Sequence, residues 1–468
     1  MNFILVVIDS LRKDHIGAYG NDWIKTPNLD EFSKESVRFD RAYPEIMPTI
    51  PFRRSLLTGK RVFPCKNWQP MLSSYPYTML NTIGLAGVPG WTPLLPDETP
   101  MAETFSSYGY ETVLVTDVLH QFYPSMNFHR GYHSWNWIRG QEWDTLMTNL
   151  ISDPPDSKQY FTDRTDKGHQ KVWELGRYLL NTDFRQSEED YFAPQVFRTA
   201  VKWLEQNHNK EPFFMCIDSF DPHEPWDPPQ YYRDMYNPGY DGKEALMPIY
   251  TNKASGYLDA EELKHMRALY AGEVTMVDYW FGNFMRKVKQ LGLEKNSVIV
   301  VVTDHGHQLG EKDFTGKIAY GLMPCLLDLG LFIRHPEGKG AGESVDAFVY
   351  NHDILPTVCN LLGEKIPEGV EGEDLWPLAE RKRDKIRDYV DTIFKDYLWI
   401  RDDNWAMVSR INKTETELFD LKKDPEYLKD VAAENPDVVE KMWELLYEDV
   451  GGEIPYYNIA VPLLDKRE

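Results

Sequence analysis

Cysteine is scarce in this chain: Cys65, Cys216, Cys325 and Cys359 are the only four in 468 residues, and they are widely scattered. They make no Cys-x-x-Cys step or metal-type pairing, which excludes a disulfide framework and a thiolate metal centre as organising principles. Positive charge is in deficit too, with 51 Lys and Arg against 74 Asp and Glu and a net charge of -23. That balance argues against a broad surface for nucleic acid or anionic membrane. A small anionic substrate would need a local cluster of positive groups instead. Long hydrophobic runs are also missing. The opening run Asn2-Phe3-Ile4-Leu5-Val6-Val7-Ile8 stops at Asp9, too short to span a bilayer and without a cleavage region behind it. The expectations are a cytoplasmic location, reduced thiols, no membrane and no nucleic-acid partner. Oligomeric state stays open, a homo-oligomer included.

Hydrophobic content of 42% and aromatic content of 13% are globular values. A chain this long exceeds one ordinary core, so a large domain and a smaller one are expected. Residues 2–8 read as a buried parallel strand, apolar and rich in β-branched residues. Ligands of open α/β sheets collect beyond strand C-termini, where Asp9 falls. Ser297-Val298-Ile299-Val300-Val301-Val302-Thr303 is a second such strand, and Asp304-His305-Gly306 follows it. A carboxylate next to an imidazole at a strand end suits metal ligation. A third apolar run, Pro212 to Asp218, leads into Asp221-Pro222-His223-Glu224-Pro225. One long helix is expected from Glu261 to Leu291, and a shorter one over 193–208. Residues 61–100 and 125–195, rich in aromatic residues, read as loops around a site.

The stretch Met47-Pro48-Thr49-Ile50-Pro51-Phe52-Arg53-Arg54-Ser55-Leu56-Leu57-Thr58-Gly59-Lys60 reads as a short helix. Thr49 fits its N-cap, Pro51 its first turn and Gly59 its C-terminal stop. A helix N-terminus attracts anions, and here it offers a hydroxyl with Arg53 one turn in.

This stretch resembles the signature of the sulfatases of the alkaline phosphatase superfamily, Cys/Ser-x-Pro-x-Arg followed by a helix ending Thr-Gly-Arg/Lys. Pro51, Arg53, Leu57, Thr58, Gly59 and Lys60 match it. The nucleophile position does not. Sulfatases convert Cys or Ser there to formylglycine, and the β-methyl group of Thr49 blocks that route. Thr at this position resembles the phosphodiesterase and phosphonate monoester hydrolase branches, so no formylglycine is expected.

The resemblance runs through nearly the whole chain. It implies an α/β, alkaline-phosphatase-like fold: a large, mostly parallel sheet flanked by helices, plus a small C-terminal α+β subdomain. The boundary is placed at 1–374 and 375–468. Asp9, Thr49, Asp304 and His305 become the implied metal sphere, with one divalent ion. Oxygen and nitrogen ligands favour Mn²⁺ or Zn²⁺ over Ca²⁺, and Ser10 stands where many sulfatases carry a second Asp. Arg53, Lys60 and Lys317 are the implied oxyanion holders, and His223 in Pro-His-x-Pro is the implied general acid. Asp117 replaces the sulfate-binding Lys of Gly-Lys-x-x-His, and with His120 it is carried as a substrate-binding candidate. His352 is a weaker candidate ligand. The implied activity is metal-dependent cleavage of a phosphodiester or phosphonate monoester, a small anionic ester, through a covalent phosphothreonine. Sulfate ester hydrolysis without formylglycine and a non-catalytic binding protein are the alternatives.

Overall fold

The computed structural model describes residues 1–66, 88–123, 125–147, 160 and 170–455. Parts of the two loop regions expected around a site, 67–87, 148–159 and 161–169, lie outside the described residues. In chain order the strands are β1 (Asn2–Ile8), β2 (Val37–Tyr43), β3 (Glu111–Thr116), β4 (Ser134–Trp137), β5 (Phe213–Ser219), β6 (Ser297–Thr303) and β7 (Gln308–Leu309). They continue as β8 (Thr315–Gly316), β9 (Leu329–Arg334), β10 (Ser344–Tyr350), β11 (Val390–Phe394), β12 (Tyr397–Arg401), β13 (Trp405–Arg410) and β14 (Glu417–Asp420).

Eight of these strands form one sheet in the order β10-β2-β9-β6-β1-β5-β3-β4. Strand β9 is antiparallel to both its neighbours, β2 and β6, and the other pairings are parallel. β1 lies at the middle and is buried throughout. Its side chains alternate between two apolar layers, Phe3, Leu5 and Val7 on one face and Ile4, Val6 and Ile8 on the other. A strand covered on both faces has no polar side to present, which is why it reads as a continuous apolar run.

Helix Ala260–Gln290 lies on the second face beside Phe192–Asn207. Its capping box, Asp259 with Glu262, starts it one residue earlier than periodicity predicts. The first face carries α2 (Thr49–Thr58) and the helix Ile354–Leu362, while α1 (Pro27–Lys34) belongs to the second.

The C-terminal strands β11 to β14 form a separate antiparallel sheet. One of its faces, with Phe394, Trp399 and Phe419, joins the apolar layer of the large sheet. The other, with Ile393, Ile400 and Leu418, lies under Met442, Trp443 and Leu446 of the helix Pro436–Asp449. The expected architecture is therefore the observed one. Among the described residues no helix is long and apolar enough to cross a membrane.

Candidate active site

Register brings the first pair of acidic residues together. Ile8 is opposite Thr303 in the parallel β1–β6 ladder, so Asp9 and Asp304 leave the sheet side by side. Both are wholly buried, as is His305. Ligand atoms of these three lie within 4.8 Å of one another. Ser10 ties the carboxylates in place: its amide donates to Asp304 Oδ1 (2.9 Å) and its hydroxyl to Asp9 Oδ1 (3.0 Å). It does so from a left-handed backbone, φ 56°, strain of the kind that collects at functional sites.

His305 is oriented by its own loop. Nδ1 lies 2.9 Å from the Gly306 carbonyl and donates to it, so the bare Nε2 faces the carboxylates. Burial pushes the imidazole down to about 4, Asp304 only partly opposing it, so the ring is neutral and able to ligate. Gly306 is needed for closeness rather than for a turn conformation. A Cβ there would sit 1.9 Å from the Cys325 carbonyl oxygen.

Helix α2 reaches this cluster end-on. Thr49 is its first helical residue, Pro48 precedes it, and no side chain caps the end. The N-cap expectation for Thr49 is thus corrected. Its hydroxyl points instead to His305, with Oγ1 3.4 Å from Nε2. Gly59 does stop the helix in a left-handed conformation, φ 65°.

Arg53, one turn in, is buried among three carboxylates. Its Nε and Nη2 donate to Asp218 at 2.8 and 2.7 Å, and Nη1 donates to Asp304 Oδ2 (2.8 Å) and to the Thr49 carbonyl (3.0 Å). Nη2 also lies 3.0 Å from Asp9 Oδ2. These contacts engage the whole guanidinium fork. In this arrangement Arg53 braces the acidic cluster and holds the helix to it.

One guanidinium against Asp9, Asp218 and Asp304 leaves an excess of two negative charges if all three ionise. Burial first, and then the charge of Asp304, push the Asp9 carboxyl well above its ordinary value. Burial would raise Asp304 as well, but His305 and Arg53 hold it below. A divalent cation fits this donor set by charge and by chemistry, two carboxylates and a neutral imidazole.

A second group faces the first across the site. His223, Lys317 and Glu224 are buried, with His223 Nε2 2.5 Å from Lys317 Nζ. His120 Nε2 is 3.2 Å from Glu142 Oε2, and its ring packs against Trp91, Trp143 and Phe220. Glu142, His223 and Glu224 also have ligand-type atoms within 4.8 Å of one another.

Residues 1–364 match the family profile described as Sulfatase. The chain belongs to the sulfatase family. A second profile, described as N-sulphoglucosamine sulphohydrolase, C-terminal, matches residues 327–450. An arylsulfatase of Clostridium perfringens is 26% identical over 99% of this chain and 97% of its own. The multifunctional alkaline phosphatase superfamily protein PehA of Trinickia caryophylli is 26% identical over 87% of this chain and 83% of its own. Names of sulfatases predominate among the relatives. Among solved structures, the phosphonate monoester hydrolase of Agrobacterium radiobacter superposes with a TM-score of 0.70 at 21% identity, covering 97% of this chain and 96% of its own. That likeness establishes an alkaline-phosphatase-like fold.

Within this sulfatase-family frame, Asp9, Thr49, Arg53, Asp304 and His305 come together, and His223 and Lys317 form the facing group. Lys60 does not join them. It follows the far end of α2, and ten residues at 1.5 Å each put about 15 Å of helix between it and Thr49. Its ammonium lies beside Gly369. Asp117 is a buried brace, accepting from the Phe220 amide (2.7 Å) and from Gln141 (3.3 Å). His352 is also elsewhere, stacked on Tyr350 beside the Asp353–Arg387 pair.

Sequence reasoning missed Asp218, Glu224, Glu142 and His307. Asp218 carried one signal, a charged residue in the next-to-last position of a seven-residue strand whose first five residues are apolar. Glu142 carried none, because a loop residue reaches the site only through the fold.

Proposed function

We propose that this chain is a metal-dependent hydrolase of phosphodiesters or phosphonate monoesters with Thr49 as its nucleophile. The observation that carries this reading is the Thr49 hydroxyl, buried at the start of α2 and 3.4 Å from His305 Nε2. A β-methyl group keeps this residue from becoming formylglycine, so the hydroxyl itself is the group on offer.

Asp9, Asp304 and His305 would hold the divalent ion, which when bound supplies positive charge that lowers the hydroxyl pKa and neutralises the ester. Thr49 Oγ1, its proton given up to solvent water, then forms a bond to phosphorus in line with the departing alcohol, giving a phosphothreonine. The bond to the leaving oxygen breaks, and that oxygen takes a proton from the His223–Lys317 side. Lys317 faces the developing charge on the non-bridging oxygens, where a fixed cation stabilises most. Water then attacks phosphorus and releases Thr49. Arg53 keeps α2 in register with the carboxylates throughout.

Sulfate ester hydrolysis without formylglycine is the second reading, favoured by the names of the relatives. A nitrophenyl panel decides between them: a phosphodiester, a phosphonate monoester, a phosphomonoester and a sulfate, each run with Mn²⁺, Zn²⁺ or Ca²⁺. The expected result is a dominant phosphorus diester or phosphonate, with turnover lost by about a thousandfold or more in Thr49→Ala. Dominant sulfate turnover, or full activity in Thr49→Ala, would refute the proposal.

A further inference from the structure

The Pro-His-Glu-Pro turn carries a carboxylate to which the mechanism above gives no part. Glu224 is wholly buried. Its Oε2 lies 3.1 Å from His223 Nδ1, 3.1 Å from His307 Nε2 and 3.9 Å from Lys317 Nζ. Its Oε1 accepts from the Tyr250 hydroxyl.

His223 Nδ1 is also 2.8 Å from the Glu224 carbonyl, so Nδ1 carries the ring hydrogen and Nε2 is left as an acceptor. Lys317 Nζ, 2.5 Å away, donates into that bare nitrogen. An ammonium hydrogen-bonded to a neutral imidazole is a pair holding one acidic proton, with one positive charge to balance. Glu224 is a carboxylate within reach of both members.

We propose that Lys317 and His223 act as a single acid with one shared proton, and that Glu224 is the positioning residue and counter-ion that keeps this acid charged and aimed at the leaving oxygen. The inference rests on the reading that the alcohol departs on this side, and it applies to phosphorus and sulfate esters alike. As the bond to the leaving oxygen breaks, its electron pair takes the shared proton and the Lys317–His223 pair becomes neutral. The water that cleaves the enzyme ester gives a proton back.

The surroundings support this assignment. Glu142 lies near His223 and Glu224 with His120 beside it, His307 and Tyr250 lie against Glu224, and the charges of Lys317 and Asp9 act on each other. Burial pushes the His223 imidazole well below its ordinary value, and the ammonium of the pair is Lys317, its Nζ 3.9 Å from Glu224 Oε2.

The test is Glu224→Gln, which keeps the shape and removes the charge, with Tyr250→Phe as a milder second variant. Each is compared with native protein on matched esters of a nitrophenol and of a simple alcohol. For Glu224→Gln, kcat is expected to fall about a hundredfold with the alcohol ester and within about threefold with the nitrophenyl ester, at similar KM. Tyr250→Phe should show the same selectivity at smaller size. The His223→Ala and Lys317→Ala losses should not add in the double variant. Independently of turnover, nitrogen NMR of the His223 ring, whose Nε2 accepts from Lys317, should show the Nε2 resonance displaced in Glu224→Gln. Equal losses on both esters, an unmoved His223 Nε2 resonance, or two metal equivalents in native protein falling to one in Glu224→Gln would overturn the proposal. The last would make Glu224 a ligand. If native protein turns over no ester, the proposed function fails and the His223 Nε2 resonance alone decides the role of Glu224.

Discussion

Arg53 and Asp218 form a two-pronged pair, Nε to Oδ2 at 2.8 Å and Nη2 to Oδ1 at 2.7 Å, both side chains buried. This pair aims the rest of the guanidinium at Asp304 and Asp9, and through the Thr49 carbonyl it fixes the start of α2. Removing the carboxylate would leave a buried cation short of one partner. Asp218→Ala is expected to lose about 3 to 5 kcal/mol of stability in urea unfolding. Arg53→Lys should be damaging too, because an ammonium cannot make the paired contact.

The acidic cluster predicts opposite effects of one substitution in two states. In chelator-treated protein, Asp9→Asn relieves repulsion between neighbouring carboxylates and should raise the melting temperature. In protein supplied with Mn²⁺ or Zn²⁺, the same change removes a ligand, so native protein should melt higher and bind more metal. Calorimetry and elemental analysis on both proteins check this. A melting temperature that metal does not move would count against the assigned ligands.

The two lysines that the family pattern implies should part company. Lys60 lies at the far end of α2, so Lys60→Ala is expected to change kcat/KM by less than about twofold, as surface changes away from a site do. Lys317→Ala should lose about a hundredfold or more, the usual scale for removing a proton donor. Steady-state kinetics on the nitrophenyl panel separates the two.

His352 offers a pH test away from the metal ligands. Burial pushes its imidazole from 6.5 down to about 3, with Asp353 only partly compensating. Because the folded value lies below the unfolded one, its contribution is full above about pH 6.5 and is lost as pH falls toward 3. Near pH 4.5 the loss is about 2 to 3 kcal/mol. His352→Gln should flatten the acid limb of the stability curve by that amount, read from urea midpoints at neutral and acid pH.

Several elements were legible in the residues alone. The strands 2–8 and 297–303 are observed with the expected bounds, because apolar runs of that length fit only a doubly covered sheet. Asp9 and Asp304-His305 could be marked as site candidates because chemistry collects where parallel strands end. The Thr49-to-Gly59 helix and its αL stop follow from local backbone preferences.

What the sequence by itself determined, then, is which strands are buried, where they end and which groups stand at those ends. Only the tertiary structure decided who meets whom. Strand register set Asp9 against Asp304, and packing of α2 set Arg53 among three carboxylates. The α2 length carried Lys60 away, and the Pro-His-Glu-Pro turn brought Glu224 under His223 and Lys317. Local preferences act over a few residues, whereas these meetings join positions tens to hundreds of residues apart, which only the assembled sheet specifies.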